Sequence, residues 1–137
     1  QEQLHSNMQK RLGISMPSFD QYLQALDGWE TIRLKTAEFF GRYDILLCPS
    51  APMPPYPHSQ KDFLIHGIKT PSRHSLRATV PWDLTGSPAI SVPFGWTANG
   101  LPIGVQLVGR HLEEALIIKV ASMLEEIQSS VKKHPSL

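Results

Sequence analysis

The apolar positions of this chain form one long helical pattern, several short extended patterns and a second helical pattern. Ser18 followed by Gln21 is typical of a capping box, so a helix is predicted over residues 19–40, ending at Gly41. Gly28 lies inside this helix and lowers its stability by about 1 kcal/mol relative to alanine. The helix is still predicted, because the apolar periodicity continues on both sides of Gly28. The apolar residues at near-helical spacing are Phe19, Tyr22, Leu23, Leu26, Trp29, Ile32, Ala37 and Phe40.

Three extended segments follow this helix. The run from Asp44 to Cys48 has no polar alternation, which predicts a strand buried on both faces. Residues 88–94 and 102–109 alternate, and Asn99-Gly100 between them is a tight-turn signal, so the two are predicted to pair as a hairpin. A last amphipathic helix is predicted from near Leu112 to Lys132 and Lys133. Its apolar stripe is Leu116, Ile117, Val120, Ala121, Leu124 and Ile127.

The segments between these elements are less regular. Five prolines within residues 49–59 predict an extended, semi-rigid connector, which is either a plain loop or, less favoured, a proline-rich peptide ligand. Residues 60–77 show no periodicity and are predicted to be irregular. Residues 78–84 are predicted to form a short helical turn, interrupted by Pro81 and ended by Gly86.

Composition narrows the function classes. The 137 residues carry 13 Lys and Arg against 12 Asp and Glu, a formal charge of +1, so no nucleic-acid partner is expected. No apolar run reaches about 18 residues, so no membrane span is predicted. One cysteine excludes an internal disulfide and favours a cytoplasmic protein. We interpret residues 1–137 as a single domain, and because the first residue is Gln1, as a piece of a longer protein.

Candidate catalytic groups within the chain are weak. Gly86-Ser87-Pro88 lacks the second glycine of a nucleophile elbow, and Pro88 has no N–H to donate to an oxyanion. A triad of Asp83, Ser87 and His74 is disfavoured because these residue types are common. Cys48 is interpreted as a core residue rather than a reactive thiol. The six histidines are scattered without ligand spacing, so no metal site is predicted.

Three segments resemble the amidase-signature family. Residues 43–52 (YDILLCPSAP) are similar to its Asp-x-Leu-Leu-x-Pro-Thr strand and turn. Residues 85–93 (TGSPAISVP) are similar to its Thr-Gly-x-Pro-Ala-Ile-Ser-Val-Pro strand, and residues 100–109 (GLPIGVQLVG) to its Gly-Leu-Pro-x-Gly-x-Gln-Leu-x-Gly strand. Their order and spacing also fit. The resemblance covers about residues 18–128 and the final third or less of such an enzyme.

The resemblance implies an α/β fold with a mixed central sheet flanked by helices. It implies hydrolysis of a small-molecule amide by a serine nucleophile, a second serine in a cis peptide and a lysine base, without metal or cofactor. In the family those residues lie upstream, in and before a Gly/Ser-rich region that these 137 residues do not contain. No catalytic residue is therefore assigned in this chain.

The resemblance also implies a substrate wall just before the Thr-Gly-x-Pro segment, with Thr79, Trp82 and Asp83 as candidate binding residues. The family usually has asparagine at position 83 and often threonine where Ser50 stands. A carboxylate at 83 either alters substrate preference or hydrogen-bonds a neighbouring backbone N–H, and the second reading is favoured. Trp82 is equally well interpreted as a core residue.

Two functions follow. The chain is the C-terminal part of an amide hydrolase, or it is a non-catalytic binding or scaffold module derived from one. Under the first hypothesis, strands beside the missing part leave unpaired edges and an exposed apolar face. The isolated chain is then predicted to self-associate, or to need the remainder of the enzyme, so that these surfaces are covered.

Overall fold

The computed structural model describes residues 15–127. The α/β class is confirmed, and the predicted helix end at Lys132 and Lys133 lies outside the described residues. In chain order the elements are helix α1 (Phe19–Phe40), strands β1 (Ile45–Pro49), β2 (Asp62–Ile65) and β3 (Ile68–Pro71), a 3₁₀ helix (Ser72–Ala78), helix α2 (Val80–Thr85), strands β4 (Ala89–Trp96) and β5 (Pro102–Gly109), and helix α3 (Glu114–Ile127).

Helix α1 begins and ends where the sequence predicts. The Ser18 hydroxyl accepts a hydrogen bond from the Gln21 backbone N–H at 3.2 Å, and the Gln21 side chain accepts one from the Ser18 N–H at 2.9 Å. This reciprocal pair satisfies two N–H groups that the helix leaves without partners. At the other end, the Gly41 N–H donates to the Ala37 carbonyl at 2.9 Å.

The central sheet has the order β1–β5–β4, and each strand pair in residues 15–127 is antiparallel. Leu47, Leu107 and Ile90 are opposite one another across it, so they share the face on which α3 packs. The predicted hairpin is confirmed. Of the predicted stripe of α3, Ile117, Val120, Ala121 and Leu124 pack in the core, whereas Ile127 is 75% exposed. The core on this face is formed by Val92, Leu107, Ile117 and Ala121, with Ile45, Ile90, Val105, Val120 and Leu124 packed against it.

The prediction that β1 is buried on both faces is wrong. Leu47 is 51% exposed, and no residue of β1 is fully buried. The reason is position: β1 pairs with β5 alone, at the edge of the described sheet. A continuous apolar run is typical of a strand that other elements cover on both faces. Among the described residues, no such elements cover both faces of β1.

The prediction of irregular structure over residues 60–77 is also wrong. Strands β2 and β3 pair antiparallel there, and a 3₁₀ helix follows. The turn between the strands is His66-Gly67, with φ of 49° and 76°. Two successive positive φ values suit a two-residue hairpin turn, and glycine at the second removes most of the strain. The ring of Phe63 in β2 meets Tyr56 of the connector edge-on, with centroids 4.7 Å apart.

The short helix before β4 is continuous rather than interrupted. Pro81 lies in the first turn of α2, where a missing N–H has no helical partner to lose. Gly86 ends the helix in the left-handed conformation at φ 68°, and its N–H donates to the Trp82 carbonyl. Helix α3 starts at Glu114, two residues later than predicted, because Leu112 has a φ of 64° that no helix accommodates.

Arg110 joins the ends of three elements. Its Nε and Nη2 donate to the Phe40 carbonyl at 3.0 and 2.7 Å, and its Nη1 pairs with Glu113 at 2.9 Å. The last carbonyls of a helix lack intrahelical partners, so the guanidinium caps the C-terminal end of α1. Arg110 itself lies between the end of β5 and the start of α3. This contact fixes the C-terminal end of α1 against the sheet.

Candidate functional site

The predicted substrate wall is a compact turn at the start of α2. The Thr79 carbonyl accepts hydrogen bonds from the backbone N–H groups of Trp82 at 3.0 Å and Asp83 at 3.3 Å, so the three residues are held on one helical turn. The Thr79 hydroxyl donates to the Leu76 carbonyl at 3.2 Å. The structure therefore brings the three candidates together, with the Thr79 hydroxyl turned back on its own backbone.

Asp83 projects into solvent from this turn. Its side chain makes no hydrogen bond or ion pair with any residue in the range 15–127, and no partner backbone N–H is found there. The favoured reading of a local backbone contact thus has no support in the geometry. An exposed carboxylate with no partner in the described part of the chain is available to a ligand or to a neighbouring surface.

Trp82 turns the other way, toward α1. Its indole lines a cavity of about 280 Å³ together with Ile32, Lys35, Thr36, Phe39 and Leu46. The indole Nε1 is buried and has no hydrogen-bond partner among the described residues. Trp82 therefore packs α2 onto α1 and β1, which is the arrangement of a core residue.

A row of polar side chains crosses the face of the sheet opposite α3. Gln106 of β5 is 3% exposed and lies between Cys48 of β1 and Ser91 of β4 in the strand register. The Gln106 amide nitrogen is within hydrogen-bond distance of the carbonyls of Ala78 and Pro49. Ser91 and Ser50 pair through their hydroxyls at 2.6 Å. This row joins the sheet to the α2 turn on one side and to the connector on the other.

Gln106 lies within one of the resembling segments, yet sequence reasoning assigns it no role. The signal is present, because a long polar amide in the middle of the run from Ile103 to Val108 is unusual for a central strand. A buried side-chain amide requires hydrogen-bond partners. A polar residue among apolar ones in a central strand therefore indicates that its side chain bonds to another part of the fold.

A larger cleft lies beside this row. It has a volume of about 510 Å³ and separates the proline-rich connector from the loop between β4 and β5. Its lining is mostly apolar, and the lining side chains that carry hydroxyl groups are Ser50, Tyr56 and Thr97. The lining residues are Pro49, Ser50, Ala51, Pro52, Met53, Pro54, Pro55, Tyr56, Thr97, Pro102, Ile103 and Gly104.

The disfavoured triad does not assemble. Ser87 is buried and its hydroxyl pairs with that of Thr85 at 2.9 Å, and it has no hydrogen bond to His74 or Asp83. His74 lies on the 3₁₀ helix, where desolvation lowers the pKa of its imidazole. The guanidiniums of Arg77 and Arg73 lower that pKa further. Both effects disfavour the protonated imidazole.

Neither a metal-ligand cluster nor a membrane-spanning helix occurs in the described part of the chain. Within residues 15–127, no group of three or more His, Cys, Asp or Glu side chains is arranged to hold a metal ion. No helix in that range is both long enough and apolar enough to cross a membrane.

Comparison with known proteins identifies the family of this chain. A family model described as Amidase matches residues 3–118. That match takes in α1, all five strands and the α2 turn. This chain belongs to the amidase family. The three segments of the sequence that resemble amidase-signature enzymes are, in the structure, β1 with its following turn, the α2–β4 junction, and β5 with the turn before it.

Relatives with curated names include one component of an amidotransferase. The A subunit of the glutamyl-tRNA(Gln) amidotransferase of Bacillus cytotoxicus is 37% identical over 98 residues, which are 72% of this amidase-family chain and 19% of that protein. Its counterpart from Picosynechococcus is 34% identical over 120 residues, 85% of this chain and 23% of that one. The chain thus spans about a fifth of the length of these curated relatives.

Solved structures agree with the family assignment. A crystal structure of an amidase superposes with a TM-score of 0.82 at 24% identity, over 93% of this chain and 30% of that one, which shows a shared fold. The glutamyl-tRNA(Gln) amidotransferase A subunit of Thermotoga maritima superposes with a TM-score of 0.64 at 32% identity, over 79% of this chain and 23% of that one.

Proposed function

We propose that this chain is the C-terminal part of an amide hydrolase of the amidase-signature type. In this proposal it supplies sheet strands and part of the substrate wall, and a serine nucleophile, a cis-serine and a lysine base come from polypeptide outside the matched region. The substrate is a small-molecule amide, no metal or cofactor takes part, and the setting is cytoplasmic. The observation that carries the proposal is the family match over residues 3–118.

The arrangement of polar groups supports a non-catalytic role for these residues. The serines nearest the site are paired with other hydroxyls, Ser87 with Thr85 and Ser50 with Ser91. A hydroxyl pair of this kind becomes nucleophilic only when a base accepts a proton from it, and no lysine among residues 15–127 forms a hydrogen bond with either pair. The chain spans about a fifth of its curated relatives, so there is ample room for the base elsewhere in a longer enzyme.

The wall is formed by the outer surface of the α2 turn in this proposal. Asp83 has an exposed carboxylate without a partner among residues 15–127, and Thr79 lies one helical turn before it. Trp82 supports the turn from behind by packing on α1. A carboxylate where the family usually has an asparagine can accept hydrogen bonds but cannot donate one, so it favours substrates that present N–H groups or positive charge there.

The experiment compares the 137-residue chain with the product of its reading frame extended upstream, on a panel of aliphatic, aromatic and cationic amides. Hydrolysis by the extended protein alone is the expected result. In that protein, Asp83→Asn is expected to raise KM for cationic amides about tenfold with little change in kcat, which is the signature of lost ground-state binding.

Asp20→Asn, on the exposed first turn of α1, is the matched control and leaves KM unchanged. Equal KM values for Asp83→Asn and the parent protein on every amide would remove Asp83 from the wall. A frame that does not extend upstream, with amide binding but no hydrolysis, would favour the scaffold or binding module instead.

A further inference from the structure

Helix α2 is too short to hold its own position. It has six residues, and isolated helices of that length do not persist in water. Its place must therefore be fixed by contacts with the rest of the fold. One such contact lies at its C-terminal end, where the Trp29 indole N–H donates to the Leu84 carbonyl. A second is the packing of Trp82 against α1.

The N-terminal end of the turn is held by Gln106. Ala78 is the last residue of the 3₁₀ helix, so its carbonyl points onward without a helical partner. The Gln106 Nε2 donates to this carbonyl, and the second hydrogen of the same amide group is within reach of the Pro49 carbonyl at 3.4 Å. Both neighbours are acceptors, so the amide nitrogen, and not its oxygen, must face them.

The strand beneath Gln106 gives this contact a rigid base. The register places β5 between β1 and β4, and Gln106 between Cys48 and Ser91. The backbone of β5 also holds the start of the connector, because the Ser50 N–H donates to the Gly104 carbonyl at 3.1 Å. A side chain that is 3% exposed on a paired central strand has little freedom to move away from its partners.

We propose that Gln106 is a positioning residue: its side-chain amide clamps the Ala78 and Pro49 carbonyls, and so sets the place of Thr79, Trp82 and Asp83 relative to the sheet. In calling that turn a substrate wall, this inference rests on the proposed function. The clamp itself rests only on the contacts of Gln106. Gln106 touches no reacting group and acts through the backbone that it holds.

The test measures amide hydrogen exchange by NMR in the 137-residue chain and in two variants of similar shape. Gln106→Met keeps the volume and loses both donors. Gln106→Glu keeps the shape and, while ionised, places an acceptor against two carbonyl oxygens. Gln106→Met is expected to lower protection of the Thr79, Trp82 and Asp83 amides by about tenfold, the effect of losing a hydrogen bond of ordinary strength. Gln106→Glu is expected to do the same at any pH above the pKa of its introduced carboxyl group, which burial raises.

A pH series separates a specific clamp from general loosening. A protonated glutamic acid regains one O–H donor, so Gln106→Glu is expected to recover protection as the pH falls through the pKa of the introduced carboxyl group, whereas Gln106→Met is not. Cys48 is the titratable neighbour of Gln106 on β1. Protection of Gly109, whose N–H donates to the Pro88 carbonyl, serves as the control for the sheet.

Three outcomes overturn the inference: unchanged protection in both variants at pH 7, equal loss at Gly109 and across the sheet, or no recovery of Gln106→Glu in acid. None of these outcomes depends on catalysis. Failure of the clamp and failure of the proposed hydrolase are therefore seen in separate experiments.

Discussion

The variant Gly109→Ala is expected to be less stable than the parent chain by about 1–3 kcal/mol, the usual cost of overpacking a filled core. A Cβ atom built at Gly109 would lie 2.9 Å from both Cγ1 and Cδ1 of Ile117. Ile117 is 2% exposed and belongs to the core cluster between α3 and the sheet. Because Ile117 is buried in this core, its side chain has little room to move, and the absence of a side chain at Gly109 permits the close approach of helix to strand.

A double-mutant cycle with Ile117→Ala identifies the cause. Removing the two carbon atoms that clash should make Gly109→Ala less destabilising, by at least about 0.5 kcal/mol, than it is in the presence of isoleucine. Stability is measured by urea unfolding followed by circular dichroism. Purely additive effects would mean that Gly109 matters for some reason other than its contact with Ile117.

Gly28→Ala is the matched control, with an effect of opposite sign. Gly28 lies in the middle of α1, and no atom lies within 4 Å of a Cβ built on it. Alanine is favoured over glycine inside a helix, so this variant is expected to gain about 0.5–1 kcal/mol. The two glycines therefore separate a packing requirement from a simple backbone preference.

The second large effect expected is self-association of the isolated chain through one face of α1. Phe19, Tyr22, Leu23 and Leu26 are spaced three and four residues apart and are 38–73% exposed. Phe40 is the one residue of this 22-residue helix that is buried. An apolar stripe of this length in contact with water favours burial against a second surface, and in a purified sample the surface present is another copy.

Sedimentation velocity over a concentration series up to tens of micromolar measures this association. The double variant Leu23→Glu, Leu26→Glu should weaken it by at least about a hundredfold, because each buried leucine contributes about 1.5 kcal/mol or more and each copy loses two. Thr31→Glu is the matched control, since Thr31 is exposed on a polar side of α1 that it shares with Gln24 and Lys35. A monomer at every concentration would show that this face is not the contact. The same conclusion would follow if Thr31→Glu weakened association as much as the double variant does.

The elements that the sequence predicted correctly carry local signals. The capping box of Ser18 and Gln21, the glycine stop at Gly86 and the alternation on either side of Asn99-Gly100 each depend on residues within a few positions of one another. Local rules are enough for such features, because the hydrogen bonds that satisfy them close within one turn.

The errors arise where the deciding partner is distant or the signal is unfamiliar. The β2–β3 hairpin turns on His66-Gly67, and histidine at a positive φ is a less recognisable turn residue than asparagine. The exposure of Leu47 depends on what covers β1, which its own sequence does not encode. The role of Gln106 depends on two carbonyls that are 28 and 57 residues away along the chain.

In the candidate wall, too, the local structure could be predicted from the sequence, but the direction of the side chains could not. A resemblance placed Thr79, Trp82 and Asp83 in one segment, and the short helix that holds them together follows from Pro81 and Gly86. The direction of each side chain does not follow from that. Trp82 lies on the side of this turn that faces α1 and β1, whereas Asp83 on the same turn faces solvent.

The central claim of the proposal is that residues 15–127 of this amidase-family chain include no activated nucleophile. Reaction with a fluorophosphonate tests it without knowledge of the substrate, since an activated serine displaces fluoride from phosphorus and gives its proton to the base. Intact-mass spectrometry is applied to the folded 137-residue chain and to its upstream-extended product. We predict no adduct on the first and one on the second. A single adduct on the folded 137-residue chain, lost in Ser87→Ala, would contradict the account.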